Sequence, residues 1–209
     1  MFSKYFNDNV LLSKKQIISI ILLIIVISGI FGWLYEFIFY YFNSGMKVFY
    51  MRGGNFLPWI NIYAYGAFLI LFLTCKVRKH PLQVFLISVI STGILEYLSG
   101  YILYGKLGWI RCWDYNQEIL NFGNINGYVC LRSVLVFGFS GLLLMYVIIP
   151  ILIKLVNSKY LNVIFIISIV FCSLVLFDEI YNLIFTSLFN LPSAPSIYKT
   201  LGFKYLYFK

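Results

Sequence analysis

Residues 16–42 read QIISIILLIIVISGIFGWLYEFIFYYF, an apolar run whose one charged residue is Glu36. Crossing about 30 Å of hydrocarbon takes roughly 20 helical residues, so this run predicts a membrane span. It is too long for the apolar core of a signal peptide and shows no small-residue cleavage pattern, so it is expected to stay attached. Outward from it, further apolar runs predict spans at 58–75, 82–104, 128–156 and 161–187. A chain that is 62% hydrophobic and 11% charged, with mean hydropathy +0.90, lacks the composition of a water-facing surface. The expected fold class is all-α, a polytopic membrane helix bundle of about five spans. Residues 1–209 then form a single integral membrane domain.

The net charge of +9 does not point to nucleic acid, because the basic residues stand at the ends of apolar runs and not in a patch interleaved with loop aromatics. Lys4, Lys14 and Lys15, the cluster Lys76, Arg78 and Lys79, and Lys154 with Lys159 fall on one side of five alternating spans. The positive-inside rule makes that side cytoplasmic. The N-terminus is therefore expected inside and the tail outside, although Lys199, Lys204 and Lys209 weigh against the second placement. Glu36, Arg52, Glu96, Arg111, Asp114, Arg132, Asp178 and Glu179 then gather in the outer half of the membrane or just beyond it.

Gly29, Gly32 and Glu36 fall on one helix face, as do Gly93, Glu96 and Gly100. Small residues let helices approach closely in lipid, so both glutamates are expected to point into the bundle. An uncompensated carboxylate at mid-bilayer costs about 2.5–3.5 kcal/mol. Arg52, Arg111 and Arg132 are the expected partners, since a guanidinium forks onto a carboxylate. Such pairs serve equally as structural locks or as the lining of a pocket for an anionic or hydroxyl-rich ligand. The acid-to-arginine spacing from Glu36 to Arg52 nearly repeats from Glu96 to Arg111, which a parallel duplication would produce. Asp178 and Glu179 point about 100° apart, too divergent to share one small site. Glu179, Asn182 and Thr186 form a polar stripe.

Residues 109–132, WIRCWDYNQEILNFGNINGYVCLR, are the longest polar interruption and predict an extracytoplasmic lid. Trp113 and Tyr115 suit an interfacial belt, and Asn121, Asn124 and Asn126 can satisfy backbone groups where the segment dips inward. Cys75, Cys112, Cys130 and Cys172 show no metal-ligand spacing and His80 is the only histidine, so neither a metal nor another cofactor is expected. Cys112 and Cys130 either pair or pack as small apolar groups. The stretch 100–107, GYILYGKL, has Leu107 where a phosphate-binding loop needs Ser or Thr. Nucleophilic triads lack a histidine near the acids.

The motifs GWLYE (32–36), RGG (52–54), PWINIYAYGA (58–67), LEY (95–97) and WDYN…NINGY…CLR (113–132) resemble, in order and spacing, the bacterial ABC-transporter permease family of the CmpB type. The resemblance covers about residues 28–142. It implies a small multispanning protein of the bacterial inner membrane, with motif charges at Glu36, Arg52, Glu96, Asp114 and Arg132. Leu57, Asn61 and Ala64 depart from the family pattern, as do Ser133 with Val134 and Phe137 with Gly138.

Three readings stay open. The first is a permease-like transport component with an outward-facing polar site drawn from Glu36, Arg52, Tyr63, Glu96, Arg111, Asp114, Tyr115, Asn121, Arg132 and Glu179. It sits in the bacterial cell membrane with a separate ATPase subunit, a second copy of itself and the bilayer as partners. The second is an intramembrane enzyme acting on a lipid-linked or cell-envelope substrate, with Glu36 or Glu96 as acid or base. The third is a membrane scaffold whose salt bridges lock the fold.

Overall fold

A computed structural model describes residues 6, 11–43, 50–108 and 113–205. Arg111 and Cys112, with the second acid-to-arginine spacing and the Cys112–Cys130 pairing, lie outside the described residues, as do Lys4 and Lys209. The described residues form six helices: α1 Lys14–Asn43, α2 Asn61–Thr74, α3 Pro81–Lys106, α4 Leu131–Val156, α5 Leu161–Phe189 and the short α6 Ala194–Thr200. Among them α1, α3, α4 and α5 are long and apolar enough to cross a membrane. Their outward faces are apolar, as Ile166, Val170, Leu174 and Phe177 on α5 illustrate. The chain is an α-helical membrane protein.

The second predicted span, 58–75, is the exception in length. α2 has 14 residues, which rise about 21 Å at 1.5 Å each. It starts at Asn61 instead of Pro58 because the backbone ahead of it is held by distant partners. Phe56 and Leu57 donate their N–H groups to the Asp178 carboxylate at 2.9 and 2.6 Å, and Ile60 donates to the Gly29 carbonyl at 3.1 Å. Ile60 is accordingly extended, at φ −127° and ψ 120°. α4 likewise begins three residues later than the apolar run suggests: Ile125 and Val129 bridge, and the Cys130 N–H is received by the Ser133 hydroxyl at 3.3 Å, an N-terminal cap.

α1 runs through the middle, packing on α2, on α5 and on the second half of α4, while α3 pairs with the first half of α4. One end is a dry apolar core of Ile20, Ile24, Ile70, Val84, Ile149 and Val156, each almost fully buried. The same end collects the basic residues: Lys15 reaches Asn162 at 2.5 Å, and Gln16 reaches the Val156 carbonyl at 3.1 Å. The other end is held by close approach onto glycine. A Cβ on Gly29 would come within 2.0 Å of the Trp59 ring, and one on Gly32 within 2.1 Å of the Tyr63 ring. The glycines on the Glu36 face thus dock the start of α2. At this end Tyr50–Met51 pairs in parallel with Lys204–Tyr205, which brings the tail beside Arg52.

Three helices widen locally to i→i+5 bonding, at Tyr101–Lys106, Leu144–Ile148 and Tyr181–Phe185. The second precedes Pro150, whose missing N–H interrupts the regular ladder. The other two flank a cavity described below.

Candidate functional site

Glu36, one turn beyond Gly32, receives Arg52 through Nε at 2.8 Å and Nη2 at 2.7 Å, both on Oε2. Tyr63 of α2 donates to the other oxygen at 3.3 Å. Arg52 is buried, and its guanidinium lies 4.2 Å from the centre of the Tyr40 ring. Tyr40 in turn donates to Glu118 of the lid at 2.6 Å, and Arg132 takes the second Glu118 oxygen at 2.6 Å. Arg132 also donates to the Ile119 carbonyl at 3.1 Å and stacks 4.0 Å from the Phe39 ring centre.

Glu96 is satisfied without an arginine. It is 5% exposed and accepts hydroxyl hydrogen bonds from Tyr115 and from Ser133, the latter at 2.6 Å. Of the arginines expected as partners for the two glutamates, Arg132 goes to Glu118 and not to Glu96. The reason is helical: Arg132 and Ser133 are adjacent on α4 and diverge by about 100°, so Ser133 meets α3 while Arg132 meets α1 and the lid. Two hydroxyl donors satisfy a buried carboxylate as a connected network does.

Asp114 is buried and organises the lid, accepting from the Asn116 N–H and the Gln117 amide, each at 3.0 Å. Gly127 lies at φ +75°, where a Cβ would stand 2.3 Å from an Asp114 oxygen. Asn121 donates to the Tyr115 carbonyl at 2.8 Å. The lid thus contacts α1 through Glu118 and α3 through Tyr115, as a cap over this end must. Burial pushes the Tyr115 phenol well above its ordinary range, and the Glu96 carboxylate adds to the effect.

Asp178 and Glu179 diverge as neighbours should, yet both grip the strap formed by residues 52–60 and the start of α2. Asp178 holds the Phe56 and Leu57 N–H groups, while Glu179 accepts from Asn55 at 2.8 Å and Asn61 at 2.7 Å. Asn182 donates to Asp178 at 2.8 Å and accepts the Ala194 N–H at 2.8 Å, so the tail joins the same network.

Two hollows border these residues. One, about 30 Å³, lies among Glu36, Tyr63, Glu96, Tyr115 and Arg132 and holds one or two waters at most. Arg132, whose Nε is buried with no protein acceptor, is among the residues around it. The other, about 320 Å³, is a chamber bounded by the Glu36–Arg52 pair, the strap, the end of α3, Trp113 and the Glu179–Leu183 part of α5. A wider hollow of about 590 Å³ between α3 and α4 is an apolar groove lined by residues such as Ile90, Ile94 and Leu98.

Of the residues singled out in the sequence, Glu36, Tyr63, Glu96, Tyr115 and Arg132 come together around the small hollow, and Arg52 reaches it only through its pair with Glu36. Glu179 stands across the chamber from Glu36 and Arg52, and Asp114 and Asn121 shape the lid without reaching either space. The residues the sequence did not single out are Tyr40, Asn55, Glu118 and Ser133. A loop glutamate and a serine in an apolar run carry no signal until the lid is folded over them; two asparagines flanking a proline-containing strap were the readable hint.

Four membrane-length helices, a lid and a layer of buried ion pairs define a polytopic α-helical membrane protein. The chain belongs to the family described as "Putative ABC-transporter type IV" (CmpB), whose model matches residues 22–183. That match runs past the resembling motifs to include Asp178 and Glu179. No curated protein and no solved structure matches the chain.

Proposed function

We propose that the protein is the membrane-embedded component of an ATP-driven transport system, working with an ATPase carried on a separate chain. The observation that carries this reading is the chamber of about 320 Å³ beside the Glu36–Arg52 pair, at the lower end of the roughly 300–1,000 Å³ range of ligand sites. Two widened helical turns, Tyr101–Lys106 and Tyr181–Phe185, stand on its walls, and such turns recur at functional sites. The closed pairs Arg52–Glu36 and Arg132–Glu118 act as locks that fix the walls. The hollow at Glu96 is too small for a lipid-linked substrate, so intramembrane catalysis there has no support.

The basic end faces the cytoplasm of a bacterial cell in this reading, with Lys14, Lys15, Lys76, Arg78, Lys79, Lys154 and Lys159 obeying the positive-inside rule. The chamber then opens toward the outer half of the bilayer. The test is purification of the tagged protein from its own membranes in mild detergent, followed by mass spectrometry and ATPase assay. A stoichiometric ATPase subunit whose activity depends on this chain is expected; its absence under conditions that keep the bundle folded overturns the transport reading.

A further inference from the structure

The arginines that suggested an anionic ligand are already committed. Arg52 is paired with Glu36 and stacked on Tyr40, and Arg132 is paired with Glu118. What the chamber keeps is the opposite charge. Glu179 lines it with both oxygens fixed by the neutral amides of Asn55 and Asn61, which orient the carboxylate without cancelling its charge. Among the described residues no lysine or arginine pairs with Glu179. Lys106, at the end of α3, is exposed and lies 5.4 Å from the Tyr101 ring centre. The described residues of the lining therefore carry two carboxylates against one guanidinium.

Four aromatic side chains stand among aliphatic and small residues in the remaining walls. Trp59 donates its indole N–H to the Ile25 carbonyl at 3.0 Å, and Trp113 donates to the Tyr128 carbonyl at 2.9 Å. Both donors are occupied elsewhere, so these side chains offer the chamber ring surface and no hydrogen-bond donor. Tyr65 and Tyr104 add two more rings. A fixed carboxylate among electron-rich rings attracts an organic cation, because the ring quadrupole and the carboxylate act in the same direction. An anion would meet net negative charge in a medium that screens poorly.

We infer that this chamber binds a small organic ammonium compound, from a primary to a quaternary amine with a short apolar body, with its cationic head against Glu179. The inference rests on the chamber being the substrate site proposed above, and it names the substrate class.

The full-length protein in phosphatidylglycerol nanodiscs is titrated with choline and with 3,3-dimethylbutan-1-ol, which has the same shape and no charge. Binding is read by calorimetry and tryptophan fluorescence. Choline is expected to bind at least about tenfold more tightly than the alcohol, a difference of about 1.4 kcal/mol. Glu179→Gln removes that preference. Because Gln at 179 can loosen the strap, Leu183→Lys serves as a second variant: it supplies its own ammonium to the chamber, keeps the Glu179 carboxylate, and is expected to abolish choline binding. Equal binding of choline and alcohol overturns the inference, as does unchanged choline binding in folded Leu183→Lys, or no binding of choline, ethanolamine or tetramethylammonium to folded protein. Repeating the titration in phosphatidylcholine discs separates sources. Competition there assigns the site to a lipid head group, unaltered affinity assigns it to a dissolved amine, and either result supports an ammonium site. Ammonium binding without an ATPase partner would remove only the transport reading, and an ATPase partner without ammonium binding would remove only this inference.

Discussion

Tyr115 of the lid and Glu96 of α3 are joined by a hydrogen bond between two nearly fully buried side chains, so the polar segment is fastened into the helix bundle and does not merely lie over it. Ser133 supplies the second donor to the same carboxylate. Removing one donor leaves a buried carboxyl acceptor under-satisfied, at a cost of about 1–3 kcal/mol. Tyr115→Phe and Ser133→Ala are each expected to lower the thermal midpoint in detergent, and the double variant to lose more than the sum. Simple additivity in a double-mutant cycle would show that the two hydroxyls do not share Glu96.

The Tyr115 phenol also gives the fold a dependence on alkaline pH. Its folded pKa lies above the ordinary value of 10.0, so its contribution is complete below pH 10 and is lost as pH rises from there toward the folded value. Each pH unit in that window removes about 1.4 kcal/mol. Stability followed from pH 9 to 11 is expected to fall less steeply in Tyr115→Phe than in the parent protein. Parallel curves would mean that Tyr115 titrates alike folded and unfolded.

Arg52 and Glu36 form a largely enclosed ion pair, the arginine side chain only 3% exposed and the glutamate 18%. Breaking a buried pair by removing one partner costs about 3–5 kcal/mol, whereas replacing both by apolar groups is often nearly neutral. Arg52→Met alone is expected to reduce the yield of monodisperse protein sharply, and Glu36→Leu with Arg52→Met to restore most of it. If the double variant is no better than the single one, the pair has a role other than locking the strap to α1.

The long spans were legible because apolar runs of some twenty residues have one use in a bilayer. The inward direction of Glu36 was legible too, from Gly29 and Gly32 on its face, and both glycines carry rings from the strap and α2. The start of α2 was not, because the preference of proline for a first turn is local whereas Asp178, over a hundred residues away, holds the Phe56 and Leu57 N–H groups. Nor was the choice of Glu118 by Arg132, which depends on where the lid lies on α1. Charges could be counted from sequence, and their partners needed the tertiary fold.

Gly29 and Gly32 test the close approach of α1 and α2 directly. A Cβ at either would overlap a ring that is itself anchored, Trp59 through its bond to the Ile25 carbonyl and Tyr63 through Glu36. Gly54, by contrast, has nothing within 4 Å of a would-be Cβ. Gly29→Ala and Gly32→Ala are expected to destabilise by about 1–3 kcal/mol, the usual range for overpacking, and Gly54→Ala to sit within about 0.5 kcal/mol of the parent. Thermal unfolding of the three variants decides it; equal behaviour would mean that the strap gives way.

Orientation in the membrane can be read from two positions at opposite ends of the bundle. Ser158, between α4 and α5, lies at the end that collects Lys154 and Lys159, and Asn124 lies in the lid at the end holding Glu118 and Arg132. The positive-inside rule places the first in the cytoplasm and the second outside. In a background with the four native cysteines replaced, Asn124→Cys is expected to react with a membrane-impermeant maleimide in intact cells, and Ser158→Cys to react only after the membrane is opened. The reverse pattern would turn the protein over, set the chamber toward the cytoplasm, and make its substrate one taken up from inside the cell.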